Sequence, residues 1–198
     1  MKYIIMADGK GTRWKNYLDV PKHLVKVDGE VLIERTVKLL NKLDPLSEVI
    51  ITSHDERYEF EGSTRYEPKN NVIELDRFTY ELIEDDICFL YGDTYYTEED
   101  MKKIIYNDAD NILFFGNSKC IVAIKVKDSI LFKKHIDRVR ELFLNNEINN
   151  CKGWQVYQSV ANLEFGIKKI GDKFIKVGNS TIDYNTPEEY EQRKDLSK

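Results

Sequence analysis

Tyr3-Ile4-Ile5-Met6-Ala7-Asp8-Gly9-Lys10-Gly11-Thr12-Arg13 joins a short, β-prone apolar run to a loop of two glycines, a hydroxyl and several charges. The run reads as a strand, and the glycine pair ends it. A loop at the carboxyl end of a strand is where open α/β sheets receive ligands. Glycine lets the backbone approach a flat or anionic group closely, and Lys10, Thr12 and Arg13 carry donors suited to phosphate oxygens. Two familiar phosphate loops do not fit. A P-loop needs a further glycine upstream, where this chain carries the isoleucines of its first strand. The dinucleotide fingerprint needs a third glycine, and Gly9-Lys10-Gly11 runs on into Thr12-Arg13-Trp14. Alone, the loop also suits a plain strand-to-helix turn with surface cations.

The rest of the chain narrows the choice. Its 198 residues, 41% of them hydrophobic, suffice for one compact domain with a real core. No apolar run is long enough to span a bilayer, and Met1-Lys2 leads straight into the strand without a leader pattern. Cys88, Cys120 and Cys151 are widely spaced and lack CxxC pairing, which fits reduced thiols in a cytoplasmic protein. A net charge of −5, with both signs interleaved, argues against nucleic-acid binding, so an anionic ligand needs a local cluster of cations. His23, His54 and His135 share no metal-ligand spacing and read as structural or surface groups.

Apolar positions at helical spacing predict a helix over 31–43, and strands are expected at 48–53 and 86–91. Residues 71–83 read as helix, and Thr97 with Asp100 signals the start of another near 98–107. Strands near 111–115 and 120–126 and a long helix over 128–146 follow. The alternation implies right-handed βαβ units and a mostly parallel, mixed sheet in one Rossmann-like three-layer α/β/α domain spanning 1–198. After a helix near 154–163, residues 165–170 and 173–177 suggest a hairpin turned at Gly171-Asp172. Pro187, with Glu188 and Glu189 behind it, opens a final helix.

Together, Ala7-Asp8-Gly9-Lys10-Gly11-Thr12-Arg13, Pro21-Lys22-His23-Leu24 and Gly29-Glu30-Val31-Leu32-Ile33-Glu34-Arg35-Thr36 resemble the nucleotidyltransferase superfamily that makes activated sugars and alcohols. The resemblance implies a nucleotide-binding half at 1–115 and an acceptor-binding half at 116–198. It implies that Ala7, Asp8, Gly9, Lys10, Gly11 and Thr12 contact the nucleotide, and Asn70 and Asn71 resemble the loop that touches base or ribose; a helix cap fits these two equally well. Asp8 departs from the family pattern, which has a small residue there, and leaves the choice of nucleotide open. Gly92-Asp93 matches the aspartate that holds Mg²⁺, and a late segment, Asp183-Tyr184-Asn185-Thr186-Pro187-Glu188-Glu189, resembles the one that supplies a second ligand, Asp183 or Asn185. A hard cation bridging phosphates uses one or two protein carboxylates and several waters.

The implied reaction moves an NMP from CTP, UTP or GTP to a phosphomonoester, a sugar 1-phosphate or a phosphorylated small alcohol, with release of pyrophosphate. Such an acceptor is already anionic, so no Ser-His or Cys-His pairing is required. Lys22 would stabilise the α-phosphate and Arg13 the leaving phosphates. Chain length tilts the expectation to the compact enzymes of surface polysaccharide or lipid precursor synthesis, as monomer or homodimer. A catalytically silent nucleotide-binding domain is the alternative. A GT-A glycosyltransferase ranks last, because Gly92-Asp93-Thr94-Tyr95 lacks the second carboxylate of an Asp-x-Asp motif.

Overall fold

Alternating side chains of the first strand fall into two different cores, and that division organises the molecule. The computed structural model describes residues 1–167 and 169–195. Strand β1 (Lys2–Met6) sends Tyr3 and Ile5 to one face and Ile4 and Met6 to the other, the period of two that a doubly covered strand requires.

The elements follow in order: β2 (Lys26–Val27), β3 (Glu30–Val31), α1 (Leu32–Leu43), β4 (Glu48–Thr52), β5 (Thr64–Tyr66), β6 (Ile87–Tyr91) and β7 (Thr94–Tyr95). Then come α2 (Glu98–Tyr106), β8 (Ile112–Gly116), β9 (Ile121–Val126), α3 (Ser129–Leu144) and α4 (Gly153–Val160). β10 (Phe174–Lys176), β11 (Ile182–Asp183) and α5 (Pro187–Arg193) complete the set. The central sheet has seven strands in the order β10-β8-β9-β6-β1-β4-β5. Only β9 runs against its neighbours, pairing antiparallel with β6 and β8, so the sheet is mixed and mostly parallel.

Helices α1 and α2 cover one face through Ile33, Val37, Leu40, Met101 and Ile104. The other face is covered by α3 and α4 through Phe132, Ile136, Val139, Val156 and Tyr157. The expected three-layer α/β/α architecture is present. A third, smaller cluster lies apart from these two: Trp14, Val25, Val27, Leu32, Tyr184 and Tyr190. It packs the glycine loop against the last helix, joining residues far apart in sequence.

Two expectations need correction. Residues 71–83 are not one α-helix but two short 3₁₀ turns, Glu74–Phe78 and Tyr80–Leu82. The Asp76 carboxylate folds back to accept from the Val72 and Ile73 amides, each at 2.8 Å, and Thr79 sits at φ +44° between the turns, where an α-helix cannot continue. The hairpin also does not form. Residue 168 lies outside the described residues; its neighbours in 165–170 make no strand, and β10 pairs parallel with β8 instead. The Gln158 side chain takes the Ile167 carbonyl and the Gly166 amide, groups a ladder would have used. Among the described residues, no helix is long and apolar enough to cross a membrane.

Candidate active site

β1 and β6 are parallel neighbours, so their carboxyl ends open side by side and present Ala7–Arg13 and Gly92–Asp93 to one cleft. Gly92 makes this possible. A Cβ there would stand 2.8 Å from the Met6 carbonyl oxygen, to which the Gly92 amide donates at 3.0 Å. Gly11 adopts φ +57°, the left-handed conformation that turns the loop back toward Trp14.

The path from this loop to Lys22 is pinned by an indole. Trp14 is 2% exposed, and its Nε1 donates to the carbonyls of Tyr17 (3.2 Å) and Val20 (2.8 Å). The ring meets Tyr17 and Tyr190 edge-on. Pro21 then follows with an extended backbone, and Lys22 places its ammonium directly on the Asp93 carboxylate. Both side chains are nearly buried. Burial alone would raise the Asp93 carboxyl, but the Lys22 charge beside it holds it below the ordinary carboxylate value. His23 is buried beneath them, hydrogen-bonded to the Tyr58 hydroxyl at 2.9 Å. Burial and the Lys22 charge drive its imidazole down to about 3, so it stays neutral.

The late segment arrives by a short ladder. β11 pairs antiparallel with β7, setting Asp183 opposite Thr94, and the Tyr184 amide donates to the Asp93 carbonyl at 2.8 Å. Asp183 thereby comes into the cavity that Asp93 also lines. Asn185 connects the two sides: its Nδ2 donates to Asp183 (2.5 Å), and its Oδ1 accepts from Arg13 (2.6 Å). Thr186 caps α5, and the Glu189 side chain returns to the Asn185 and Thr186 amides. Burial and the Asp183 charge push the neighbouring Cys120 thiol up to about 12, so it is a neutral wall group.

Asp8 is held at the opposite rim. Its carboxylate accepts from the His54 amide (3.0 Å), the His54 ring (2.9 Å) and Asn71 Nδ2 (2.8 Å), and Asn71 also donates to the Asp8 carbonyl (2.7 Å). Lys10 reaches the Val72 carbonyl at 3.3 Å, closing the same rim.

Asp8, Gly9, Lys10, Gly11, Thr12, Arg13, Lys22, Asn71 and Asn185 therefore line one cavity of about 260 Å³. Ala7 is buried behind it. Asn70 is not brought in; it lines a shallow depression on another side, with Asp76 and Tyr80. An adjoining cavity of about 380 Å³ holds Asp93 and Asp183. Three cations there escaped the sequence reading: Arg77, which lines both cavities, and Lys119 and Lys152. Each stands in a segment with no motif, and only the fold brings them together.

This is the fold of the nucleotidylyltransferases. The CTP:phosphocholine cytidylyltransferase of Streptococcus pneumoniae superposes with a TM-score of 0.62 at 16% identity, over 100% of this chain and 99% of that one. The inositol-1-phosphate CTP transferase of T. maritima gives 0.56 at 14% identity, over 100% and 96%. The 2-C-methyl-D-erythritol 4-phosphate cytidylyltransferase of Thermus thermophilus gives 0.63 at 9% identity, over 99% and 98%. No protein-family model matches the sequence, and no curated protein matches it.

Proposed function

We propose that the protein transfers a nucleotidyl group from an NTP to a phosphomonoester and releases pyrophosphate. The single observation that carries this reading is the Lys22–Asp93 ion pair, set against Asp183 at the mouth of the glycine loop. The solved relatives named above transfer cytidylyl groups to phosphorylated alcohols, and the same reaction class suits this cleft.

The nucleotide half is 1–115, and residues 116–198 supply acceptor contacts and Asp183. The triphosphate lies along Gly9–Arg13, with Lys10 and Arg13 on the phosphates that leave. Lys22 neutralises charge growing on the α-phosphate. An acceptor phosphate oxygen attacks the α-phosphorus while the bond to the bridging oxygen of the β-phosphate breaks in line, and the electron pair departs with pyrophosphate. No proton needs to move, which agrees with a site whose one buried imidazole is held neutral.

Asp93 and Asp183 fit Mg²⁺. They are hard oxygen donors lining one cavity, and the Lys22 ammonium already rests where a cation meets Asp93. Among the described residues no cluster of three or more His, Cys, Asp or Glu could hold a metal, so phosphate oxygens and water would complete the shell. A bound Mg²⁺ would supply neutralisation of the phosphate charge. A place in surface polysaccharide or lipid precursor synthesis is the corresponding biological reading.

The test is a matrix of four NTPs against phosphorylated sugars and alcohols, read as Mg²⁺-dependent pyrophosphate release. Turnover in at least one combination is expected. Nucleotide binding without release across the matrix would instead favour a silent binding domain.

A further inference from the structure

The acceptor end of the cleft discriminates between two kinds of phosphomonoester. Its 380 Å³ cavity is lined by five cations, Arg13, Lys22, Arg77, Lys119 and Lys152, against three carboxylates, Glu74, Asp93 and Asp183, a net charge of +2. Several of these charges are already matched. Lys22 lies on Asp93, while Glu74 stands between Lys152 (3.5 Å) and Arg77 (3.7 Å). Arg13 is held by the Asn185 side-chain oxygen at 2.6 Å, whereas the Lys119 ammonium pairs with no carboxylate among the described residues and lines both this cavity and the next. The Asx turn at Asn117 fixes its backbone, with Asn117 Oδ1 accepting from the Lys119 and Cys120 amides at 2.8 and 3.1 Å.

The aromatic groups at this end offer little to a fixed cation. Arg77 already faces the Tyr91 ring at 5.7 Å, and Trp154 is stacked on Phe174. A quaternary ammonium needs open ring faces away from other cations. Beyond Lys119 the cleft widens into a groove of about 950 Å³, where Lys119 and Arg193 balance Asp183 and Glu189 and the remaining walls include Asn117, Ser118, Asn179 and Ser180. The last three are exposed, and amide and hydroxyl groups of this kind match a ligand carrying several hydroxyls.

We infer that the acceptor is a polyhydroxylated phosphomonoester, a sugar or polyol phosphate, bound through Lys119, and not an amino-alcohol phosphate such as phosphocholine. This rests on the transfer reading above and sharpens it. Lys119 meets the acceptor phosphate, and the hydroxylated body extends into the polar groove. A fixed positive charge on the acceptor would face the Lys119 ammonium and the net +2 of the cavity lining.

The experiment measures pyrophosphate release, with Mg²⁺ and each of the four NTPs, from glucose 1-phosphate, glycerol 3-phosphate, ribitol 5-phosphate, phosphocholine and phosphoethanolamine. At least one polyhydroxylated acceptor is expected to exceed both amino-alcohol phosphates by tenfold or more in kcat/KM. Lys119→Ala should raise the KM of that acceptor by roughly tenfold while leaving the KM of the NTP and the circular dichroism spectrum unchanged. Equal or better turnover of phosphocholine or phosphoethanolamine, or an acceptor KM that ignores Lys119→Ala, would overturn the inference and leave the transfer reading standing. Absence of release with every acceptor would overturn the transfer reading and this inference with it.

Discussion

At the Asp8 end of the cleft, polar groups are tied to one another before any ligand arrives. Asp8 alone accepts from the His54 amide and ring and from Asn71, and Lys10 bridges to Val72. At the Lys119 end the charges are looser, and Lys119 has no carboxylate partner among the described residues. On the proposed transfer reading the first end would take the nucleotide, a ligand common to every acceptor, whose site is rewarded for being rigid. The second suits the substrate that varies. Between them stand Lys22 and Asp93, buried and paired, where the chemistry would occur.

The largest effect should come from that middle. Lys22→Ala and Asp93→Ala each remove a preorganised charge, costing on the order of 3 kcal/mol in barrier, roughly a hundredfold or more in kcat. Steady-state pyrophosphate release checks this, with circular dichroism to confirm folding. Wild-type turnover in either variant would dissolve the distinction between middle and ends.

Next comes the cluster that joins the glycine loop to the late segment. Trp14→Ala should destabilise the protein by about 3 kcal/mol or more, as a buried aromatic is lost, and chemical denaturation measures it. Because Tyr184 and Tyr190 pack there beside Asp183, the variant should also need more Mg²⁺ for half-maximal activity.

A smaller effect belongs to the link across the cleft. Asn185→Ala cuts Arg13 from Asp183 and should slow turnover by about tenfold, one charge-assisted hydrogen bond. Asn185→Asp separates the roles: improved Mg²⁺ affinity would make position 185 a ligand, whereas unchanged affinity with lowered kcat would make it a positioning residue for Arg13.

The smallest effect lies at the rigid end. The hydrogen bond to Asp8 raises the His54 imidazole above its ordinary value. A raised folded value means that its stabilisation is complete below the unfolded pKa of about 6.5 and fades as pH climbs through the higher folded value. The His54 side chain is about half exposed, so solvent screens the pair, and the melting temperature should fall by only about 1 °C from this source between pH 6 and 9. His54→Gln should lack that slope in thermal scans. His23 has the opposite sign. Its imidazole is lowered to about 3, so stability should drop as pH falls below about 6.5, and His23→Gln should blunt the loss.

The two ends also differ in how far the sequence foretold them. The glycine loop, Asp93 and the Asp183–Asn185 segment are short contiguous motifs at strand ends, and Lys22 belongs to the contiguous Pro21-Lys22-His23-Leu24, so each could be read locally. The sheet was equally legible, because Tyr3/Ile5 and Ile4/Met6 alternate and α1 keeps a helical period. The acceptor end was not, since Arg77, Lys119 and Lys152 come from three segments that only the β6-β9-β8 arrangement brings together. Local propensity misled at 71–83, where Asp76 prefers the Val72 and Ile73 amides to a helical turn. The partners of Asp8 were likewise hidden, because His54 follows β4 and meets Asp8 only through the β1–β4 pairing.

The decisive experiment is anomalous diffraction from a crystal soaked with Mn²⁺ and the preferred NTP. One manganese peak between Asp93 and Asp183 is expected, with triphosphate density along Gly9–Arg13 and the Lys22 ammonium moved from Asp93 to the α-phosphate. Manganese bound elsewhere, with Lys22 still on Asp93 and the loop bare of phosphate, would contradict this placement.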